Sequence, residues 1–289
     1  MFTALFRSLR LIFALISAAV WMTANAPYAR AADASAWSGD SRSAARLIAG
    51  ASRSQDGIAI DRAGIEIRLA DGWKTYWRYP GDSGVPPQFD FSASDNVRTV
   101  SVQWPAPQHF TDSEGSTIGY KSNVVFPLRI ERQDNGRPVT LRVKLDYAIC
   151  ERLCIPVEAK AELPLGSATP ASEPQVAAAE AAIPRAQALR MAAPLSIWNI
   201  IAELDAKPAR VLVEVKAPAG APLTLFAEGP SPDWALPLPK PVDGSGDPGL
   251  KRFSVVLDGL PSGANARGAK LKFTAVSGAH AIETEVRLD

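Results

Sequence analysis

Asp146-Tyr147-Ala148-Ile149-Cys150-Glu151-Arg152-Leu153-Cys154-Ile155-Pro156-Val157-Glu158-Ala159-Lys160 holds both cysteines of a 289-residue chain, with three residues between them. Leading into Cys150, Leu141, Val143, Leu145, Tyr147 and Ile149 alternate with Arg142, Lys144, Asp146 and Ala148. That is the period of a half-buried strand whose odd positions face a core. Beyond Cys154, Ile155, Val157, Ala159, Ala161 and Leu163 alternate with Pro156, Glu158, Lys160 and Glu162 in the same way. The two runs predict a hairpin closed by Glu151-Arg152-Leu153, with Ile149 facing Ile155 and Tyr147 facing Val157. Cys150 and Cys154 then become a cross-strand pair at the mouth of the turn, near enough to bridge. Parity puts both on the outward face, open to solvent.

Three chemistries fit such a pair: a reactive dithiol, a structural disulfide, or a metal site. Closing a loop of about five residues restricts the unfolded chain by only roughly 2 kcal/mol, a weak reason for a staple in a domain this rich in apolar sequence. Exposed short bridges are also the easily reduced ones. Arg152 beside the pair favours a thiolate, and Glu151 opposes it.

Residues 1–31 read as a secretory signal. Arg7 and Arg10 precede the apolar run from Leu11 to Met22, and Ala29-Arg30-Ala31 fits a cleavage site, with cleavage expected after Ala31. A retained N-terminal anchor is the other reading of the run, and its shortness speaks against it. No other segment approaches membrane-spanning length, so an exported, soluble, periplasmic protein is expected. In that oxidising compartment a free pair stays reduced only if something supplies electrons. The chain carries 31 basic and 30 acidic residues; removing 1–31 takes away three arginines and no acid, leaving a net of about −2. Nucleic acid and anionic lipid are therefore poor partners for it.

With 24 prolines and 20 glycines among short alternating apolar runs, the composition points to β structure. A polar segment, 32–54, comes first. Ile58 to Ile60 and Ile65 to Leu69 read as two strands around Asp61-Arg62-Ala63-Gly64, and Val97 to Trp104 and Asn123 to Ile130 as two more. Asp134-Asn135-Gly136 is a turn. The aromatic stretch Trp73, Tyr76, Trp77 and Tyr79 reads as sandwich core and rim, or as a ligand platform. The whole fits a β-sandwich. His109 to Lys121 is long and polar for a hairpin connection, yet contains Phe110, Ile118 and Tyr120: a surface loop, or a lid over a reactive site.

Tyr147-Ala148-Ile149-Cys150 through Cys154-Ile155-Pro156-Val157-Glu158, with Gly119-Tyr120-Lys121 and Val124-Val125-Phe126-Pro127-Leu128 upstream, resembles the N-terminal periplasmic domain of the DsbD thiol:disulfide interchange reductases, in the form of their ScsB-like relatives. The resemblance implies an immunoglobulin-like sandwich at 55–166 whose cysteines relay electrons from a membrane reductase to periplasmic disulfide acceptors, with Cys154 favoured as the attacking thiol. It implies a cap loop over the pair. Phe110, Ile118 and Tyr120 occupy the matching place by position, and Asp112 and Glu114 are the acids there that could manage protons. Neither membrane helices nor a thioredoxin-like domain is read in this chain, so it is expected to work as the sandwich module with a separate membrane-embedded or thioredoxin-like donor.

Residues 167–193 shift to Ala, Pro, Glu and Ser and read as a linker, with a helical turn or two near Val176 to Ala182. A second β-rich domain, 194–289, follows: strands at Arg210 to Lys216, Leu223 to Ala227, Arg252 to Leu257, Lys270 to Val276 and Ile282 to Leu288, and a loop from Gly244 to Gly249. It has no cysteine, and a scaffold or docking role is the default, with an immunoglobulin-like sandwich as its expected fold. The fold class is therefore all-β, two sandwiches joined by a linker. His109 and His280 are the sole histidines, and no nucleophile elbow or phosphate loop is present, which discounts hydrolase and nucleotide chemistry. A copper-binding dithiol needs a βαβ context and a distant histidine, whereas the flanks here read strand, turn, strand. The expected function is thiol:disulfide interchange through Cys150 and Cys154, with no cofactor; the competing reading is a non-catalytic interaction sandwich with a structural disulfide.

Overall fold

The computed structural model describes residues 32–55, 58–81, 84–112, 115–166, 169–243 and 249–289. The expected signal at 1–31, the loop residues 244–248 and Glu114 lie outside them.

The cysteine hairpin forms as its parity dictates. Strands β10 (Val139–Cys150) and β11 (Cys154–Leu165) pair antiparallel, with Ile149 opposite Ile155, Tyr147 opposite Val157 and Cys150 opposite Cys154. Nine further strands complete the first sandwich: β1 (Ser38–Gly39), β2 (Ser43–Gln55), β3 (Ile58–Leu69), β4 (Lys74–Tyr76), β5 (Gln88–Asp90), β6 (Val97–Val102), β7 (Gln108–Asp112), β8 (Gly115–Lys121) and β9 (Asn123–Arg132). One sheet runs β1-β2-β3-β9-β6; the other runs β11-β10-β4-β8-β7, with β5 also paired to β10. Inward-facing Leu47, Ile65, Phe126 and Leu128 of the first sheet meet Leu141, Leu145 and Tyr147 of the second in one core. At its centre Phe126 takes edge contacts from Phe89, Trp104 and Tyr120, with ring centroids 5.1 to 5.6 Å apart.

Three stretches differ from the sequence reading. The segment 32–54 supplies β1 and most of β2, whose Leu47 and Ile48 are fully buried; small residues such as Ala44, Ala45 and Ala49 fill the core without a strong hydropathy signal. Ile58 to Leu69 is one continuous strand, because the charges that suggested a break are paired. Asp61 accepts a bidentate fork from Arg132 at 2.6 and 2.7 Å, and Arg62, 3% exposed, holds Glu173 and Glu180 at 2.7 and 2.6 Å. Those two acids lie on helix α1 (Glu173–Ala181), so the stretch read as a linker packs on the first sheet, with Val176 completely buried. Finally, the expected loop at His109 to Lys121 is the β7–β8 hairpin.

The second domain has two four-stranded sheets, drawn from β12 (Arg185–Ala186), β13 (Ser196–Glu203), β14 (Arg210–Lys216), β15 (Thr224–Glu228), β16 (Lys240–Val242), β17 (Leu250–Val256), β18 (Lys270–Ser277) and β19 (His280–Arg287). Their orders are β12-β19-β18-β15 and β13-β14-β17-β16. Val211, Val213 and Val215 alternate into a core closed by Phe226, Phe253 and Phe273. The described residues are thus all-β apart from one short helix: an immunoglobulin-like sandwich followed by a second β domain.

Phe126→Ala empties the middle of the aromatic cluster and should destabilise the protein by about 3–5 kcal/mol in urea denaturation. A loss below about 1 kcal/mol would show that the core is not organised around this ring.

Candidate functional site

Cys150 ends β10 and Cys154 begins β11, and the two are bonded, with Cα atoms 4.2 Å apart. The surroundings of the two sulfurs differ. Cys154 is exposed, whereas Cys150 is only 4% exposed and packs with Tyr76 and Ala148. This corrects the expectation that both sulfurs face solvent. The parity was right about the face, but that face is covered at its end by another strand and loop.

The covering strand is β4. It pairs with β10 on one side, placing Thr75 opposite Ile149 and Lys74 opposite Cys150, and with β8 on the other, placing Tyr76 opposite Gly119. A Cβ at Gly119 would lie 1.9 Å from the Thr75 carbonyl oxygen, so glycine is what lets β8 approach β4 this closely. The Thr75 hydroxyl donates to the Ala148 carbonyl at 2.9 Å, locking β4 onto the cysteine strand. The result is that the buried Tyr76 Oη sits 2.8 Å from Cys150 Sγ and 3.1 Å from Cys154 Sγ. Sulfurs of a disulfide carry no hydrogen, so the phenol is the donor to both.

Tyr76 is itself covered. Gly84, at φ +152°, lies so close that a Cβ there would sit 2.5 Å from the tyrosine ring. Val85, next to it, is 57% exposed and lines a cavity of about 570 Å³ together with Tyr147, Pro156, Val157 and Cys154. Leu153, on the hairpin turn, is 77% exposed. Asp146 and Glu158 also line the cavity. Lys160 and Lys144 hold the Glu158 carboxyl below its ordinary range, so it stays ionised at neutral pH. The accessible sulfur thus opens onto an apolar groove whose rim acids, Asp146 and Glu158, are ion-paired with Lys144 and Lys160. Tyr147 lies beneath, its hydroxyl 2.6 Å from the Ser43 hydroxyl, and burial pushes its pKa up, so it remains neutral.

The residues expected to form a lid are placed elsewhere. Ile118 and Tyr120 are core side chains at 3% and 6% exposure, and the Tyr120 hydroxyl donates to the Pro105 carbonyl at 2.9 Å. Burial holds the Tyr120 pKa well above its ordinary value. Phe110 is half-buried, with the Lys121 ammonium 4.3 Å from its ring centroid. Strand β4 stands between this hairpin and β10. Asp112 is the last residue of β7, and Glu114 lies outside the described residues. The residue that sequence reasoning missed is Tyr76. It sat in the aromatic stretch already singled out, but its partner is 74 residues away, and no local pattern announces that pairing.

Residues 51–165 match the family described as thiol:disulfide interchange protein DsbD, N-terminal. The fold is similar to the crystal structure of the N-terminal periplasmic domain of ScsB from Proteus mirabilis, at 20% identity and a TM-score of 0.68, covering 89% of this chain and 98% of that one. The C-terminal domain of the Streptococcus agalactiae AgI/II polypeptide BspA, at 6% identity over 83% of this chain and 96% of that one, reaches a TM-score of only 0.17, too low for a shared fold. None of the curated proteins matches the chain by sequence.

The difference in burial predicts an order of reaction. After gentle reduction, iodoacetamide should modify Cys154 before Cys150, as read by mass spectrometry of the two peptides over time. Equal rates would mean that Tyr76 and Gly84 do not shield Cys150.

Proposed function

Residues 51–165 form a DsbD N-terminal-like domain, and from that premise we propose that the protein is an exported, periplasmic thiol:disulfide interchange module that passes reducing equivalents through Cys150 and Cys154. The observation that carries this reading is the asymmetry of the bridge: one sulfur open to a groove, the other buried, and a single phenol donating to both.

The steps follow from that asymmetry. A thiolate of a reducing partner, membrane-embedded or thioredoxin-like, attacks the exposed Cys154 Sγ. The Cys150–Cys154 bond breaks as the new bond forms, and the electron pair leaves on Cys150 Sγ, where the Tyr76 hydroxyl stabilises the developing charge. The partner's second thiolate then attacks its own sulfur in the mixed disulfide, freeing Cys154 as a thiolate. The partner has become a disulfide, and two electrons now rest on the Cys150 and Cys154 sulfurs, which take up protons according to the pH. In the delivering half, the Cys154 thiolate attacks the disulfide of a periplasmic acceptor. Cys150 then attacks Cys154 Sγ, releasing the acceptor's reduced cysteines and restoring the bridge. Cys154 is thus the attacking residue and Cys150 the resolving one.

We assign the shielding of Cys150 to Tyr76 and to the stretch from Gly84 to Val85 that lies against it, in place of Phe110, Ile118 and Tyr120. Exposed Val85 and Leu153 flank the open sulfur and offer an apolar contact to a docking partner. Such a contact must be small and transient, because turnover requires release.

Trapping tests the reading. Cys150→Ser lacks the resolving thiol and should accumulate a mixed disulfide through Cys154 in the periplasm, visible on a non-reducing gel and lost on adding reductant. Cys154→Ser should trap little. If neither variant traps a partner while the wild-type pair stays oxidised in cells, the bridge is a structural one.

A further inference from the structure

The residue after the sulfur-contacting Tyr76 begins an anchor into the second domain. Trp77, fully buried, stacks at a tilt on Phe226 with ring centroids 5.7 Å apart. Arg78 donates from Nε and Nη2 to the two carboxylate oxygens of Glu228 at 2.8 and 2.7 Å, and from Nη2 to Glu283 as well. Its guanidinium also lies 4.5 Å from the Trp77 ring centroid. The backbone N–H of Leu236 donates to the Tyr79 hydroxyl at 2.8 Å. Glu228 is on the edge strand β15 and Glu283 on the inner strand β19, so one arginine ties two strands of a second-domain sheet to the chain leaving β4. Glu283 is paired in addition with Lys272 at 3.2 Å.

This is an unusual concentration of fixed geometry. A bidentate guanidinium–carboxylate pair sets both distance and plane, and a half-buried one tolerates little drift because an unpaired charge is costly there. β4 is three residues long, and its hold on β10 is short. Its last residue must nevertheless keep a hydroxyl within hydrogen-bond reach of two sulfurs at once.

We propose that the second domain is a positioning element for the redox pair: Arg78, clamped between Glu228 and Glu283, holds the end of β4 so that the Tyr76 hydroxyl stays on Cys150 and Cys154. The second domain then acts on the chemistry through one residue, Tyr76, without touching sulfur, and Arg78, Glu228 and Glu283 are positioning residues. This inference rests on the exchange reading above, but its test does not need a biological partner.

The test measures the second-order rate at which dithiothreitol reduces the disulfide of the full-length protein at fixed neutral pH. Tyr76→Phe removes the donor to the leaving sulfur and should slow reduction about tenfold, the weight of one hydrogen bond to a charged group. Arg78→Gln and the isosteric Glu283→Gln should each slow it by about threefold or more, the low end of coupling between residues in one network. In a Tyr76→Phe background neither change should slow it further, because Arg78 acts through that hydroxyl. A merely structural clamp gives the opposite sign: loosening it uncovers the buried sulfur and leaves reduction unchanged or faster, with a lower melting temperature. That outcome, or an equal slowing in the Tyr76→Phe background, overturns the proposal. Glu283→Gln keeps the shape of the interface and serves if Arg78→Gln does not fold. Failure of the exchange reading shows separately, as absence of trapped partners, and leaves this rate comparison intact.

Discussion

A single phenol between two sulfurs is the contact on which the rest of the arrangement depends. Tyr76 reaches Cys150 and Cys154 at 2.8 and 3.1 Å only because β4 is wedged between β10 and β8. That wedge in turn needs a glycine at 119 for close approach and a glycine at 84 to admit a covering loop over the ring. The contact is asymmetric in consequence, since it leaves one sulfur buried and the other at the surface. A disulfide with two equivalent exposed sulfurs has no preferred point of attack, whereas in the exchange proposed above this one would take a nucleophile at Cys154 and leave the charge on Cys150, beside the phenol.

The frame around the site is stiffened by paired charges as much as by apolar packing. Arg62 with Glu173 and Glu180 fastens the helix to the first sheet, Arg132 with Asp61 fixes the end of β9 to β3, and Arg78 with Glu228 and Glu283 joins the two domains. Each guanidinium is at least three-quarters removed from solvent. Such pairs contribute little net stability compared with apolar residues of equal size, yet breaking one strands a charge. Their effect is on geometry: they select one relation between elements and penalise the others.

Much of the hairpin was readable from alternation alone. The register of β10 and β11, down to Cys150 opposite Cys154, follows from the positions of Ile149, Ile155, Tyr147 and Val157. Strand β14 was placed at its observed bounds for the same reason, its valines alternating inward. Burial of Cys150 was not readable, because alternation tells which face a side chain is on and not what lies over that face. Asp61 and Arg62 looked like a break because a lone charge does not belong inside a sheet; their partners lie 71 and more than 100 residues downstream. The link from Arg78 to Glu228 spans 150 residues and was equally invisible. Ile118 and Tyr120 could have been caught: two apolar residues spaced by two, behind a glycine-bearing turn, are a strand signal that the surrounding polar residues masked.

The claim at the centre is that Cys150 and Cys154 are an exchange couple and not a staple. Equilibrating the folded protein in dithiothreitol and glutathione buffers of graded potential, and quantifying the reduced fraction by mass-tagging of thiols, tests this most directly. An exchange couple has a midpoint above about −300 mV, reached without unfolding, and that is the expected result. A midpoint below about −300 mV, with thiols that appear only in denaturant, would contradict it.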